Sequence, residues 1–129
     1  MVPRLPQVRP PAGEDPQALR LDTARPDPSG RLSIRYLLRT LGWSAGDRVD
    51  HTAIGEIVVI TRSPTGRATI GCRGELVIPA ATRTLAGLGN GPFLLVAVPA
   101  QNILVVHSEA SVTGLLTDYY AHLEAVDDG

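Results

Sequence analysis

Short apolar runs alternate with glycine and proline punctuation along the chain, and the pattern recurs. Leu19 and Leu21 alternate with polar neighbours in ALRLDTAR, which predicts a short strand. The following Asp27-Pro28-Ser29-Gly30 predicts a tight turn. After Gly30, Leu32 and Ile34 keep a period of two, and after Gly74, Leu76 and Ile78 do the same. Each of these strands leads into a predicted short helix, Tyr36 to Leu41 and Ala80 to Leu85. Gly42 closes the first, and Gly87 and Gly89 close the second, as glycine commonly does at a helix C-terminus. Two β runs complete each unit: RVDHTAI and EIVVITR around Gly55, then FLLVAV and NILVVH around the Pro99-Ala100-Gln101 turn.

The recurrence is an internal duplication. Gly30, Leu32, Ile34, Arg39, Thr40 and Leu41 match Gly74, Leu76, Ile78, Arg83, Thr84 and Leu85 at one offset of 44 residues, giving G-x-L-x-I-x(4)-R-T-L twice. With two single-residue insertions Gly46 falls on Gly91, and Ile57–Ile60 on Ile103–Val106. A β-α-β-β unit of this size cannot bury its own apolar face. The two repeats, 19–62 and 63–108, are therefore expected to complete one core. From Ser108 to Ala125 the pattern turns helical. Val112, Leu115, Leu116, Tyr119, Tyr120 and Leu123 fall on one broad face, with Ser108 or Ser111 as N-cap. Residues 109–129 thus form a C-terminal helix with an acidic end.

Composition narrows the class. At 129 residues the chain makes one domain, and at 43% hydrophobic it can bury a core. Seven of its 11 prolines lie in the first 28 residues, so 1–18 is expected to be a flexible arm. No apolar stretch is long enough to cross a membrane, and MVPRLPQVRPP lacks the apolar core of a secretory signal, so a soluble cytoplasmic protein is expected. One cysteine excludes a disulfide framework and a multi-cysteine zinc site. Cys72 is expected to be a small apolar filler. His51, His107 and His122 have no metal-ligand spacing, and there is no nucleophile elbow or phosphate-binding glycine loop. Neither an enzyme, a metal nor a cofactor is therefore expected.

Charge is the more informative quantity. The net charge is −1, which excludes a general polycation. It is nevertheless unevenly spread: residues 29–62 and 63–108 each carry +2, and 109–129 carry five acids and no arginine. All 12 basic residues are arginine. Genomic codon bias accounts for that, although the planar guanidinium suits phosphate and guanine.

The repeats resemble the swapped-hairpin DNA-binding family that includes AbrB, MazE and SpoVT. The residues that carry the resemblance are Gly74-Glu75-Leu76-Val77-Ile78-Pro79 with Arg83 and Gly87-Leu88, and Gly30-Arg31-Leu32-Ser33-Ile34 with Leu38-Arg39-Thr40-Leu41-Gly42 and Gly46-Asp47-Arg48-Val49. Two copies in one chain are most similar to the MraZ-type members. Arg35 stands where the family usually has proline, Glu75 where it has a basic or polar residue, and Gly91-Pro92 in place of its G-D pair.

The resemblance implies a mostly β (α+β) fold, an AbrB-like swapped-hairpin barrel of two tandem repeats plus the C-terminal helix. It also implies a transcriptional regulator that contacts double-stranded DNA through Arg31, Arg39, Arg73 and Arg83. Arg35 joins these from its chemistry alone. For Arg39 and Arg83 a structural salt bridge to a nearby acid is the competing expectation. Leu115, Leu116, Tyr119, Tyr120 and Leu123 are the expected oligomer or partner interface, and a homo-oligomer is expected. The alternative to a DNA binder is a protein-interaction module, such as a MazE-like antitoxin, gripping a partner with the acidic C-terminal segment. A third reading is a barrel that has lost DNA binding and serves only as a docking domain.

Overall fold

A computed structural model describes residues 18–127. The expected arm lies almost wholly outside the described residues, as do Asp128 and Gly129. The chain runs β1 (Arg20–Ala24), β2 (Arg31–Ser33), α1 (Arg35–Leu41), β3 (Arg48–Ile54), β4 (Ile57–Arg62), β5 (Ala68–Thr69), β6 (Glu75–Val77), α2 (Ala80–Ala86), β7 (Phe93–Val98), β8 (Ile103–His107) and α3 (Glu109–Asp127). A short 3-10 turn at Pro99–Gln101 joins β7 to β8. The fold is α+β with antiparallel pairing throughout.

Six strands form one sheet in the order β1-β7-β8-β4-β3-β5, and β2 pairs with β6 in a separate ribbon. Both orders read the same from either end once each strand is replaced by its counterpart in the other repeat. The molecule therefore has a pseudo-two-fold axis. It passes between Leu32 and Leu76, which face each other in the ribbon, and between Val59 and Val105 in the sheet. Strands cross between repeats: β1 pairs with β7 of the second repeat, β5 with β3 of the first, and β4 with β8 at the centre. Helices cross too, with α1 packed on β7 and α2 on β3.

The core lies between the sheet and the ribbon-and-helix layer. Val49, Val58, Ile60, Phe93, Leu95, Leu104 and Val106 point in from the strands, and Leu32, Ile34, Leu37, Leu38, Leu76 and Ile78 from the other layer. The alternation of buried and partly exposed residues along β4, β7 and β8 is the period-2 pattern of one core-facing side. Trp43 is buried and donates its indole N–H to Asn102 Oδ1 at 2.8 Å, which satisfies the one polar atom it brings inside.

Three expectations need correction. The sheet is not a closed barrel: β2 and β6 have three residues each, pair only with one another, and leave β1 and β5 as open edges. The strand expected around Leu19 and Leu21 is β1, but the second repeat has an unexpected counterpart, β5, whose two residues between glycine-rich turns carry no periodicity of their own. Cys72 is exposed rather than a core filler.

Candidate functional site

In the ribbon, Leu32 and Leu76 point into the core, so Arg31, Ser33, Glu75 and Val77 stand on the outer face by alternation. Arg31 is not a free cation. Its Nε donates to Asp27 Oδ2 at 3.1 Å, and Asp27 Oδ1 accepts the backbone N–H groups of Ser29 and Arg31, each at 2.9 Å. The aspartate that shapes the β1–β2 turn therefore also holds the arginine. The Arg31 backbone N–H, followed by that of Ser29 and the Arg31 guanidinium, keeps the Asp27 carboxyl below its usual range.

Arg35 opens α1 directly after the ribbon and donates through Nη2 to the carbonyl of Arg73 at 3.3 Å. This contact joins the first repeat's helix to the second repeat's turn. It depends on Gly74, where a Cβ would stand 3.3 Å from the Arg35 Cβ and the backbone is left-handed at φ +75°. The Arg73 side chain itself is exposed.

Arg39 and Arg83 occupy the last turns of α1 and α2, where a cation favours the exposed carbonyl ends. Gly42 and Gly87 close both helices in the left-handed conformation. Neither arginine has a carboxylate within 4.0 Å among the described residues; the ion pairs there are Arg31–Asp27 and Arg62–Asp47. The expected salt bridge at these positions is therefore absent among the described residues. The two are not equivalent. Arg39 is exposed, whereas Arg83 is half-buried, with an Nε sealed from solvent and without a hydrogen-bond partner among the described residues. Arg83 faces the β1–β2 turn beside Arg25 and Asn90. Sequence reasoning missed those two, because no motif links three residues that only the fold brings together.

The C-terminal helix differs from a packed one. Ser108 is its N-cap, accepting the Ser111 N–H at 3.0 Å, and Ser111 Oγ lies 3.0 Å from His107 Nδ1. Val112 is half-buried in an apolar notch with Thr23, Phe93 and Leu94. Beyond that first turn the expected interface residues stand in solvent: Leu115 is 57% exposed, Leu116 45%, Tyr119 41% and Tyr120 59%, with only Leu123 half-buried. The face is thus not core.

His51 points inward opposite Ile60, and its Nε2 is buried without a partner among the described residues. Burial pulls its pKa below the ordinary value, against a smaller upward pull from Asp50. Burial lowers His107 as well. Among the described residues no three His, Cys, Asp or Glu side chains gather where they could hold a metal, and no helix is long and apolar enough to cross a membrane. The chain matches no protein-family model, no curated protein and no solved structure.

Proposed function

We propose that this chain is a cytoplasmic DNA-binding transcriptional regulator of the AbrB-like, swapped-hairpin type. The arginine arrangement carries the reading. Arg31 on the ribbon, Arg35 bonded to the Arg73 carbonyl, and Arg83 in the last turn of α2 come from both repeats. Arginines contributed by both repeats suit phosphate contacts that position the protein on a duplex, with base edges between them. The exchange of strands and helices between repeats is what a swapped-hairpin unit requires, and it supports that finer description although the sheet is open. Asp27 and Glu75 on the same layer limit non-selective attraction.

A gel-shift titration at rising salt tests the reading. Affinity for promoter fragments should fall log-linearly with salt. Arg39→Ala should weaken binding and lower the slope by about one if it meets a phosphate, with an unchanged circular dichroism spectrum. Random genomic fragments that never shift at low salt would remove the proposal.

The exposed face of α3 favours an added element, a homo-oligomer formed through Leu115, Leu116, Tyr119, Tyr120 and Leu123. The same observation favours a second reading, a protein-interaction module whose acidic C-terminal segment grips a basic partner in the manner of a MazE-like antitoxin. A pull-down in which deleting residues 109–129 releases the captured partner supports that reading, and an unchanged pull-down counts against it.

A further inference from the structure

The β1–β2 turn and α2 enclose a cleft of about 450 Å³, lined among others by Arg25, Asp27, Ser29, Gly30, Arg83 and Asn90. Arg83 enters it from α2, with Nη2 3.9 Å from where a Gly30 Cβ would stand. Its Nε–H is sealed from water and meets no acceptor among the described residues. An unmatched buried donor on a charged group is costly, and the neighbouring Nη groups of the same guanidinium are suited to the oxygens of an oxyanion, whose negative charge would offset that cost. Arg25 adds a second positive charge, and Asn90 a neutral donor. The one acid in the lining, Asp27, already accepts from Arg31 and two backbone N–H groups, so its charge is engaged elsewhere.

The cleft is built once, not twice. At the pseudo-symmetric positions Arg25, Asp27 and Asn90 become Thr69, Gly71 and Ala45, and the counterpart of Arg83, Arg39, is exposed. The charged and polar lining around the R-T-L arginine therefore belongs to the Arg83 copy alone.

We infer that this cleft is an oxyanion subsite that takes one phosphate group, held between the outer N–H groups of the Arg83 guanidinium and Arg25, with Asn90 as a further donor. The group can come from a free phosphate or phosphomonoester, or from a nucleic-acid backbone; only the second source rests on the DNA reading. The full chain, labelled with 15N, is titrated with inorganic phosphate, with sodium chloride at matched ionic strength, and with a short DNA duplex. Saturable shifts with phosphate at Gly30, Asn90 and the Arg83 Nε–H, weakened about tenfold or more by Arg83→Gln and Arg25→Gln and untouched by Arg39→Gln, support the subsite and the free source. Arg25 is exposed in a turn, so its variant stays readable if Arg83→Gln does not fold. Shifts at the same resonances with the duplex alone support the subsite and assign the nucleic-acid source. Phosphate saturation with no response to duplex sustains the subsite while counting against the DNA reading. Shifts absent with both ligands, equal to those in chloride, or indifferent to both variants overturn the inference.

Discussion

His51 shows how one residue sets a pH response. It occupies a core-facing position in β3 opposite Ile60, with Nε2 unpaired, because the strand period leaves it no other side. A folded-state pKa below the ordinary 6.5 means that the unfolded chain binds the proton more readily. The contribution to stability is therefore fully present above about pH 6.5 and is lost as the pH falls through the folded value, and His107 acts with the same sign. Urea midpoints should be flat above neutrality and decline below it. His51→Leu should lessen that decline while keeping or raising the midpoint at pH 8, since it removes an unmatched buried nitrogen. A decline of unchanged steepness would place the titration elsewhere. Trp43 makes the opposite case: its N–H is matched by Asn102, so Trp43→Ala should cost about 3–5 kcal/mol in denaturant unfolding. Both effects were hidden in the sequence, because Asn102 lies 59 residues from Trp43 and joins no motif with it.

Among the elements, α3 separates local from collective stability. Nineteen residues make a helix about 28 Å long, yet its attachment is the Ser108 cap and Val112 in the notch. Isolated helices of this length are marginal in water, so the outer turns depend on whatever covers the apolar face. Leu116→Glu with Tyr119→Glu should change the stability of the single chain by no more than about 0.5 kcal/mol, because exposed side chains have little to lose. The same pair should reduce the sedimenting mass to one chain if the face is an oligomer interface; an unchanged mass would remove that role. Ser108→Ala should cost about 1 kcal/mol of helix stability, read as lost ellipticity on heating. The helix, its cap and its apolar face were legible from 3.6-residue spacing. Its projection into solvent was not, since periodicity tells which residues share a face but not what meets it. Similarly, the R-T-L motif located both short helices, while only the fold distinguishes an exposed Arg39 from a half-buried Arg83.

For the whole molecule the exchange between repeats is decisive. The duplication was visible as a 44-residue offset, and it correctly implied one shared core. Which strand meets which was not visible, because pairing depends on contacts between segments far apart in the chain. Closure was misjudged for the same reason: β2 and β6 are too short to bridge the sheet edges, a fact of strand length that the residues around Gly30 and Gly74 do not announce. Interleaving predicts that fragments 18–63 and 64–127 are each unfolded alone, since each lacks its central sheet neighbour and the helix that covers its strand. Mixed in equal amounts they should recover strand signal in circular dichroism; a folded single fragment would contradict the shared core.

The same crossing of strands has a cost in time during synthesis. β4 emerges from the ribosome with Ile57–Ile60 ready to pair, but its partner β8 is completed only at His107. At the usual rate of chain growth the wait is roughly 2 to 9 seconds. Throughout that interval an apolar strand stands with an unpaired edge, and nascent chains on neighbouring ribosomes offer each other the edge their own chain has yet to supply. Overproduction should therefore be limited by crowding among unfinished copies rather than by the stability of the finished one.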